Sequence, residues 1–368
     1  MNAIGALSTV TTACALAVLP GCGEGPPLPP PPIVWTGDHV RFGTNADVSE
    51  LCAGTLPYLD GVAGYLGEVF ERSPNNMLDY YWMPDGLAGY CRNPTTHGCV
   101  SEQGTFSLYA VHQHELVHAV RYPNLLYLPL EEGLAEAYGD DWDLSFGLEA
   151  DINSVLEDPG GFSPNGYTRA GHFSSYLREE YGPGALAELN DQTDYTDNYE
   201  VFERAFAPIY GKTVAEVITE YEAEYVDCTP GDFRDRSFEC TKNVIVAPTD
   251  IDEPLELELS MACDDPAVLG PRRGVRWRTL TLEIRDPGRY FISTTLDEGV
   301  SSRLIRVKSC QRTCFDLMED ELSTSFGSSV DGEFCLAAGR YLFKYEVDEP
   351  DEATYYFYVS RTSTVDCQ

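Results

Sequence analysis

The chain has 368 residues, with 60 acidic side chains against 24 basic ones and a formal net charge of −36. That charge repels phosphate backbones and excludes nucleic-acid binding, while 43% hydrophobic residues are enough for packed cores and exclude wholesale disorder. At roughly 100–200 residues per domain the length suits two domains, and collagen, coiled coil and polytopic membrane protein all fail on composition or apolar run length.

Met1 to Gly21 carries no charged residue, and its apolar stretch from Ala13 to Leu19 is too short to span a bilayer. Residues 1–21 therefore read as a signal peptide. The stretch ends in Leu19-Pro20-Gly21-Cys22, which resembles a bacterial lipoprotein box with Cys22 as the lipidated residue. An ordinary signal peptide with a chance cysteine is the alternative. Glu24 to Ile33 holds six prolines in ten residues, a stiff polyproline II spacer. Residues 22–34 thus read as a lipidation site and tether, with folding beginning near Trp35. The expected location is the bacterial envelope, at the outer membrane or cell surface, with membrane contact only through the lipid on Cys22; otherwise the protein is secreted.

Setting aside Cys14 and Cys22, ten of the twelve cysteines remain, an even number that in an exported chain suggests up to five disulfides. Cys91/Cys99 and Cys310/Cys314 are close enough in sequence to clip local loops. No CxxC pair is present to suggest a cysteine-type zinc site.

In chain order, His39 to Thr44 alternates like a strand, Leu51 to Glu71 has apolar residues at helical spacing, and Leu78 to Met83 reads as a second strand. Thr105 to Val120 is apolar at helical spacing and stopped by Pro123. Helices are expected at 131–139, 167–181, 183–191, 199–207 and 213–226. From Val244 to Val359 the pattern changes to period two, as in LTLEIRD, GRYFIST and TYYFYVS, which argues for an all-β sandwich. Two similar strand entries, Pro287-Gly288-Arg289-Tyr290 and Ala338-Gly339-Arg340-Tyr341, are expected at two edges of that sandwich. Paired acids such as Asp264-Asp265 have no EF-hand spacing and read as solvated turns.

Within the helical stretch lies His114-Glu115-Leu116-Val117-His118, an HExxH motif. Residues four apart share a helix face, so both imidazoles can reach one metal, and Glu115 lies where it can take a proton from water. Neutral imidazole nitrogens suit Zn2+. A third ligand in the HExxHxxGxxH arrangement would need Gly at 121 and His at 124; the chain has Arg121 and Asn124, which excludes that pattern.

Downstream comes Pro129-Leu130-Glu131-Glu132-Gly133-Leu134-Ala135-Glu136. Together the two motifs resemble the gluzincin family of zinc metallopeptidases, specifically the small bacterial peptidase MA-like group with its EGxAE-type signature. The resemblance implies Glu132 as third zinc ligand, with Glu131 as the other choice, and Glu136 as the acid that orients a ligand histidine. It extends through Tyr167 to Gly182 and Phe202 to Lys212, so it covers about residues 100–226. Gluzincins take their oxyanion donor from a tyrosine or histidine after the ligand glutamate. Tyr167 is the first candidate here, with His172 and Tyr138 as the others. His112 is expected to face solvent, and His39 and His97 have no partner motif.

The C-terminal strands resemble the pre-peptidase β-sandwiches of secreted bacterial peptidases. The expected architecture is an α+β zincin-like catalytic domain over 35–230, with a small N-terminal sheet, an active-site helix and a helical C-terminal half, followed by an all-β sandwich domain over 241–368. The expected activity is hydrolysis of peptide bonds in a peptide or protein substrate, with zinc on His114, His118 and Glu132 and with Glu115 as general base. The alternatives are a catalytically silent peptidase-like binding protein and a surface adhesion module.

Overall fold

A computed structural model of the chain describes residues 28–71, 77–139, 148–158, 163–224, 238–251, 253–297, 302–310, 326–327, 330–348 and 353–363. The stretch 1–21 expected as a signal peptide, Cys22 and the tether as far as Pro27 lie outside these residues. Among the described helices none is long and apolar enough to cross a membrane.

The first strands, β1 (Ile33–Thr36), β2 (Val40–Thr44), β3 (Leu78–Trp82), β4 (Gly98–Ser101) and β5 (Gly104–Ser107), form one sheet in the order β1-β2-β3-β5-β4. β2, β3 and β5 run parallel, and the two edge strands are antiparallel to their neighbours. Helix α1 (Thr55–Val69) bridges β2 and β3 and buries Leu59, Val62 and Leu66. Every residue of these three strands is buried except Arg41, Asp79 and Gly104, and parallel pairing through a helical crossover suits strands covered on both faces.

Thr105 to Val120 is not one helix. Its first three residues belong to β5, inserted between β3 and β4, and α2 (Gln113–Arg121) begins only after a loop. Gly104, at φ 128°, makes the tight turn that lets β5 fold back on β4. Helical spacing of apolar residues there reflects burial on both sides of a short strand, which periodicity cannot separate from a helix.

The helical half follows as α3 (Leu128–Tyr138), α4 (Ile152–Glu157), α5 (Pro164–Tyr181), α6 (Pro183–Asn190), α7 (Tyr199–Tyr210) and α8 (Val214–Glu224). These helices share one apolar core with the first sheet, centred on residues such as Phe42, Leu116, Leu130, Phe173 and Phe202. α3 lies tight against α5 at Gly133. A Cβ built there would lie 2.2 Å from Ser174 Oγ and 2.5 Å from the Ala170 carbonyl oxygen.

The remaining strands are β6 (Val244–Val246), β7 (Leu255–Ser260), β8 (Leu269–Arg272), β9 (Val275–Ile284), β10 (Gly288–Leu296), β11 (Ser302–Ser309), β12 (Phe326–Gly327), β13 (Val330–Leu336), β14 (Gly339–Asp348) and β15 (Thr354–Ser363). They form two sheets, β13-β10-β15-β7 and β12-β11-β14-β9-β6, with β8 paired to β9. The sheets meet through Phe343 against Phe357 and Tyr345 against Tyr355. The two similar strand entries do not lie at edges. They open central strands, one per sheet, and their tyrosines, Tyr290 and Tyr341, are wholly buried.

Disulfides join Cys91 to Cys99, Cys52 to Cys263 and Cys240 to Cys310. The expected Cys310/Cys314 clip does not form. Cys310 follows β11, its amide bonded to the Arg340 carbonyl at the start of β14, and Arg340 also donates to the Cys240 carbonyl. Strand pairing therefore carries Cys310 to a distant cysteine. Asp265, read as solvated, pairs with Arg278 at 3.0 Å.

Replacing Gly133 by Ala forces α3 and α5 apart against backbone, so Gly133→Ala is expected to lower stability by about 1–3 kcal/mol. Denaturant unfolding measures this, and an unchanged midpoint would show that the helices have room to spare.

Candidate metal centre

The α2 helix presents His114 and His118 on one face, and α3 packs across it with three acids at positions 131, 132 and 136. Glu132 reaches between the imidazoles. Its Oε2 lies 3.2 Å from His114 Nε2 and 3.4 Å from His118 Nε2, and the two nitrogens are 3.3 Å apart. Donors bound about 2.0–2.1 Å from a tetrahedral zinc are separated by about 3.3 Å from one another. The three atoms thus already form a triangle of the required edge, from ligand types that zinc favours.

Glu131 points elsewhere. It is wholly buried and accepts from His118 Nδ1 at 3.2 Å, from Arg121 Nε at 2.9 Å and from the Leu126 amide at 3.0 Å. Arg121 in turn donates to Asn190 at 2.8 Å. Glu136 stands 3.3 Å from His114 Nδ1. Each histidine therefore has its own carboxylate on Nδ1, which leaves both Nε2 atoms facing Glu132 and raises ligand basicity. The orienting role of Glu131 was open in the sequence, where a Glu-Glu pair does not say which carboxylate faces α2.

Burial works against charge at all of these groups, but the ion pairs outweigh it. His114 is held well above the usual histidine range by Glu132 and Glu136, and His118 is pushed up to about 10 by Glu132 and Glu131. Glu132 and Glu131 are held below the usual carboxylate range, Glu132 by His118 and His114 and Glu131 by Arg121 and His118. Glu115 differs: it is buried, and desolvation raises its pKa despite the histidines. It packs against Gly98 of the edge strand β4, where a Cβ would lie 2.4 Å from its Cγ.

Of the three candidate donors, Tyr167 on α5 stands near the His114–His118–Glu132 cluster, its ring centroid 6.2 Å from that of His114. The charge of Glu132, with burial, pushes its phenol well above the usual tyrosine range. His172 is wholly buried and bonds Tyr221 at 2.6 Å, a core contact between α5 and α8. Tyr138 accepts from Arg178 and packs on Phe70. His112 is buried rather than solvated, its Nδ1 3.0 Å from Ser107 Oγ. It sits before the first helical residue in a non-helical conformation, φ −138°, so helix-face spacing does not apply to it. Sequence reasoning missed Tyr195, whose hydroxyl donates to Glu132 Oε1 at 3.2 Å. It lies between α6 and α7, where no periodic pattern marks it.

Residues 97–221 match the model of a family described as BSP, peptidase of plants and bacteria. This region, about a third of the chain, is peptidase-like and contains every residue of the centre just described. A search among curated proteins returns no match. Among solved structures, the pre-peptidase C-terminal domain of a collagenase from Bacillus anthracis matches at 12% identity, covering 32% of this chain and 93% of that one, with a TM-score of 0.22.

A cluster of His114, His118 and Glu132 can hold a metal ion. The wild type is expected to carry one zinc per chain, measured by elemental mass spectrometry, and Glu132→Ala to lose it. Glu131→Gln should retain zinc with affinity weaker by about 10–100-fold. Equal occupancy in all three proteins would reject this ligand assignment.

A pH dependence follows from His118. Its folded pKa, about 10, lies above the unfolded value near 6.5, so in metal-free protein its charge stabilises the fold below that lower value and this contribution is lost as pH rises toward the upper one. A metal needs the neutral imidazole. Zinc affinity is therefore expected to climb with pH until about pH 10, with proton release visible by calorimetry in buffers of different ionisation enthalpy.

Proposed function

We propose that this chain is an exported zinc-dependent peptidase of gluzincin type, built as a zincin-like catalytic domain over residues 35–230 and a β-sandwich domain over 241–368. The observation that carries the reading is the triangle of His114 Nε2, His118 Nε2 and Glu132 Oε2, with edges of 3.2–3.4 Å and Glu115 beside it on the same helix. The peptidase family match over residues 97–221 supports it independently. The signal-like stretch 1–21 and the box ending in Cys22 support export with a lipid anchor in a bacterial envelope.

Held by His114, His118 and Glu132, zinc would supply Lewis acidity, polarising a peptide carbonyl and lowering the pKa of water. Glu115 is the general base: it takes a proton from the attacking water and returns it to the leaving amine. Its buried setting raises its affinity for that proton, which suits a group that must accept one near neutral pH. Gly98 leaves the space in which the Glu115 side chain lies. Glu131 and Glu136 fix the histidine tautomers, and Tyr195 braces the far oxygen of Glu132. Tyr167, kept protonated by the nearby carboxylates, donates to the oxygen on which negative charge develops.

Glu115→Gln keeps the shape and the metal ligands. It is expected to retain zinc at wild-type stoichiometry while hydrolysis of a mixed peptide library falls by about 10²–10⁴-fold. Zinc with no turnover in the wild type would instead favour a peptidase-like binding protein.

A further inference from the structure

Helix α2 carries two of the three proposed ligands and the proposed base, yet its first turn lacks a side-chain cap from the residue before it. Two groups of contacts hold that end, and both come in part from the chain beyond residue 238. The first acts on Gln113, the residue before His114. Its Nε2 donates to Tyr58 OH at 2.5 Å and to Glu239 Oε1 at 3.3 Å, and Tyr58 OH donates to Glu239 Oε1 at 2.6 Å. Glu239 opens a 3₁₀ turn, Glu239–Thr241, whose carbonyls accept from Thr281 of β9 and Arg340 of β14 and whose Cys240 is bonded to Cys310.

The second acts on Tyr109 in the loop that leads into α2. The Arg272 guanidinium lies 4.2 Å from the centre of its ring, that of Arg273 lies 5.2 Å away, and Arg273 Nε donates to its hydroxyl at 2.9 Å. Tyr109 is itself tied to the start of the helix. Its amide donates to Ser107 Oγ, which also bonds His112, and its carbonyl accepts from Tyr80 OH at 2.7 Å. Arg272 is 6% exposed, an expensive place for a cation unless aromatic faces and hydrogen bonds receive it. The β8–β9 turn that bears both arginines is fastened to the start of α1 by Cys52 N to Gly270 O at 2.8 Å, by Thr55 Oγ1 to Gly270 O at 3.0 Å, and by the Cys52–Cys263 disulfide.

We propose that the β-sandwich and the 3₁₀ turn leading into it are part of the framework of the metal centre, with Glu239, Arg272 and Arg273 as positioning residues that fix the start of α2 and so the placement of His114 and Glu115. This rests on the reading of His114, His118 and Glu132 as a zinc site. Catalytic geometry tolerates only fractions of an ångström of displacement, so loosening this end of α2 reaches the centre without touching a ligand.

The test uses the full chain carrying Glu239→Ala, Glu239→Gln or Arg273→Ala, with Arg272→Met as a fourth variant. Two quantities are measured: zinc affinity by chelator competition, and hydrogen exchange in metal-free protein at the amides of Leu116 to Val120 against those of β10 and β15. Glu239→Ala and Arg273→Ala are expected to weaken zinc by about 10-fold or more and to speed exchange in α2 alone, while Glu239→Gln, which keeps an acceptor oxygen, stays near wild type. Unchanged zinc affinity and unchanged α2 exchange in Glu239→Ala and Arg273→Ala would overturn the proposal, as would faster exchange spread equally over the sandwich. A wild type that takes up no zinc would sink the zinc reading, and the exchange measurement would still decide the positioning role. Since Arg273 is exposed, its variant leaves the test intact even if Arg272→Met fails to fold.

Discussion

Ionisable groups buried around one point must each find an opposite charge or pay the full cost of desolvation. That constraint organises the first half of this protein. Two imidazoles on α2 face three carboxylates on α3, and each histidine has one acid on Nδ1 and shares a third on Nε2. The deepest acid, Glu131, is matched by Arg121 and by the Leu126 amide. For such pairs to meet, α3 must lie close to α2 while also packing on α5, and the sequence answers with Gly133, set against Ala170 and Ser174 of α5. The surrounding core of aromatic and aliphatic side chains leaves these groups mostly buried, so the pairs are weakly screened.

The parts of the centre legible in the sequence were those set by helix periodicity. His114 and His118 share a face because they are four apart, and the Glu132–Gly133 step marked the second helix. Spacing could not say which of Glu131 and Glu132 turns inward, since adjacent residues point about 100° apart and the crossing angle of α3 decides between them. β4 and β5 escaped because four-residue strands offer too few alternations, and β5 is buried on both faces. The buried state of His112 and the contact of Tyr195 with Glu132 depend on pairings distant in sequence, Ser107 aside. In the sandwich, period two identified the strands well, but it carries no information on strand order. That is why Gly288 and Gly339 were expected at edges and open central strands instead.

Basic residues are scarce in this chain, at 24 against 60 acids. Where they are placed inside is therefore informative. Arg121 neutralises Glu131, Arg178 lies against Tyr138, and Arg272 lies over Tyr109 at the junction of the two halves. Each sits within a few residues, in space, of the helices that bear the His114–His118–Glu132 cluster or of the loop leading into them. Exposed pairs such as Arg41 with Asp79 contribute little by comparison, because solvent screens them.

The disulfides carry a topological consequence. One bond closes the chain from Cys52 to Cys263 and another from Cys240 to Cys310, and because residue 240 precedes 263 the two loops overlap. Any single backbone cut between residues 52 and 310 therefore leaves one covalent molecule, with both pieces still attached. The entire peptidase-like region lies inside that span. Such a chain can be nicked in surroundings rich in proteolysis without shedding either half, and only reduction would let the fragments part.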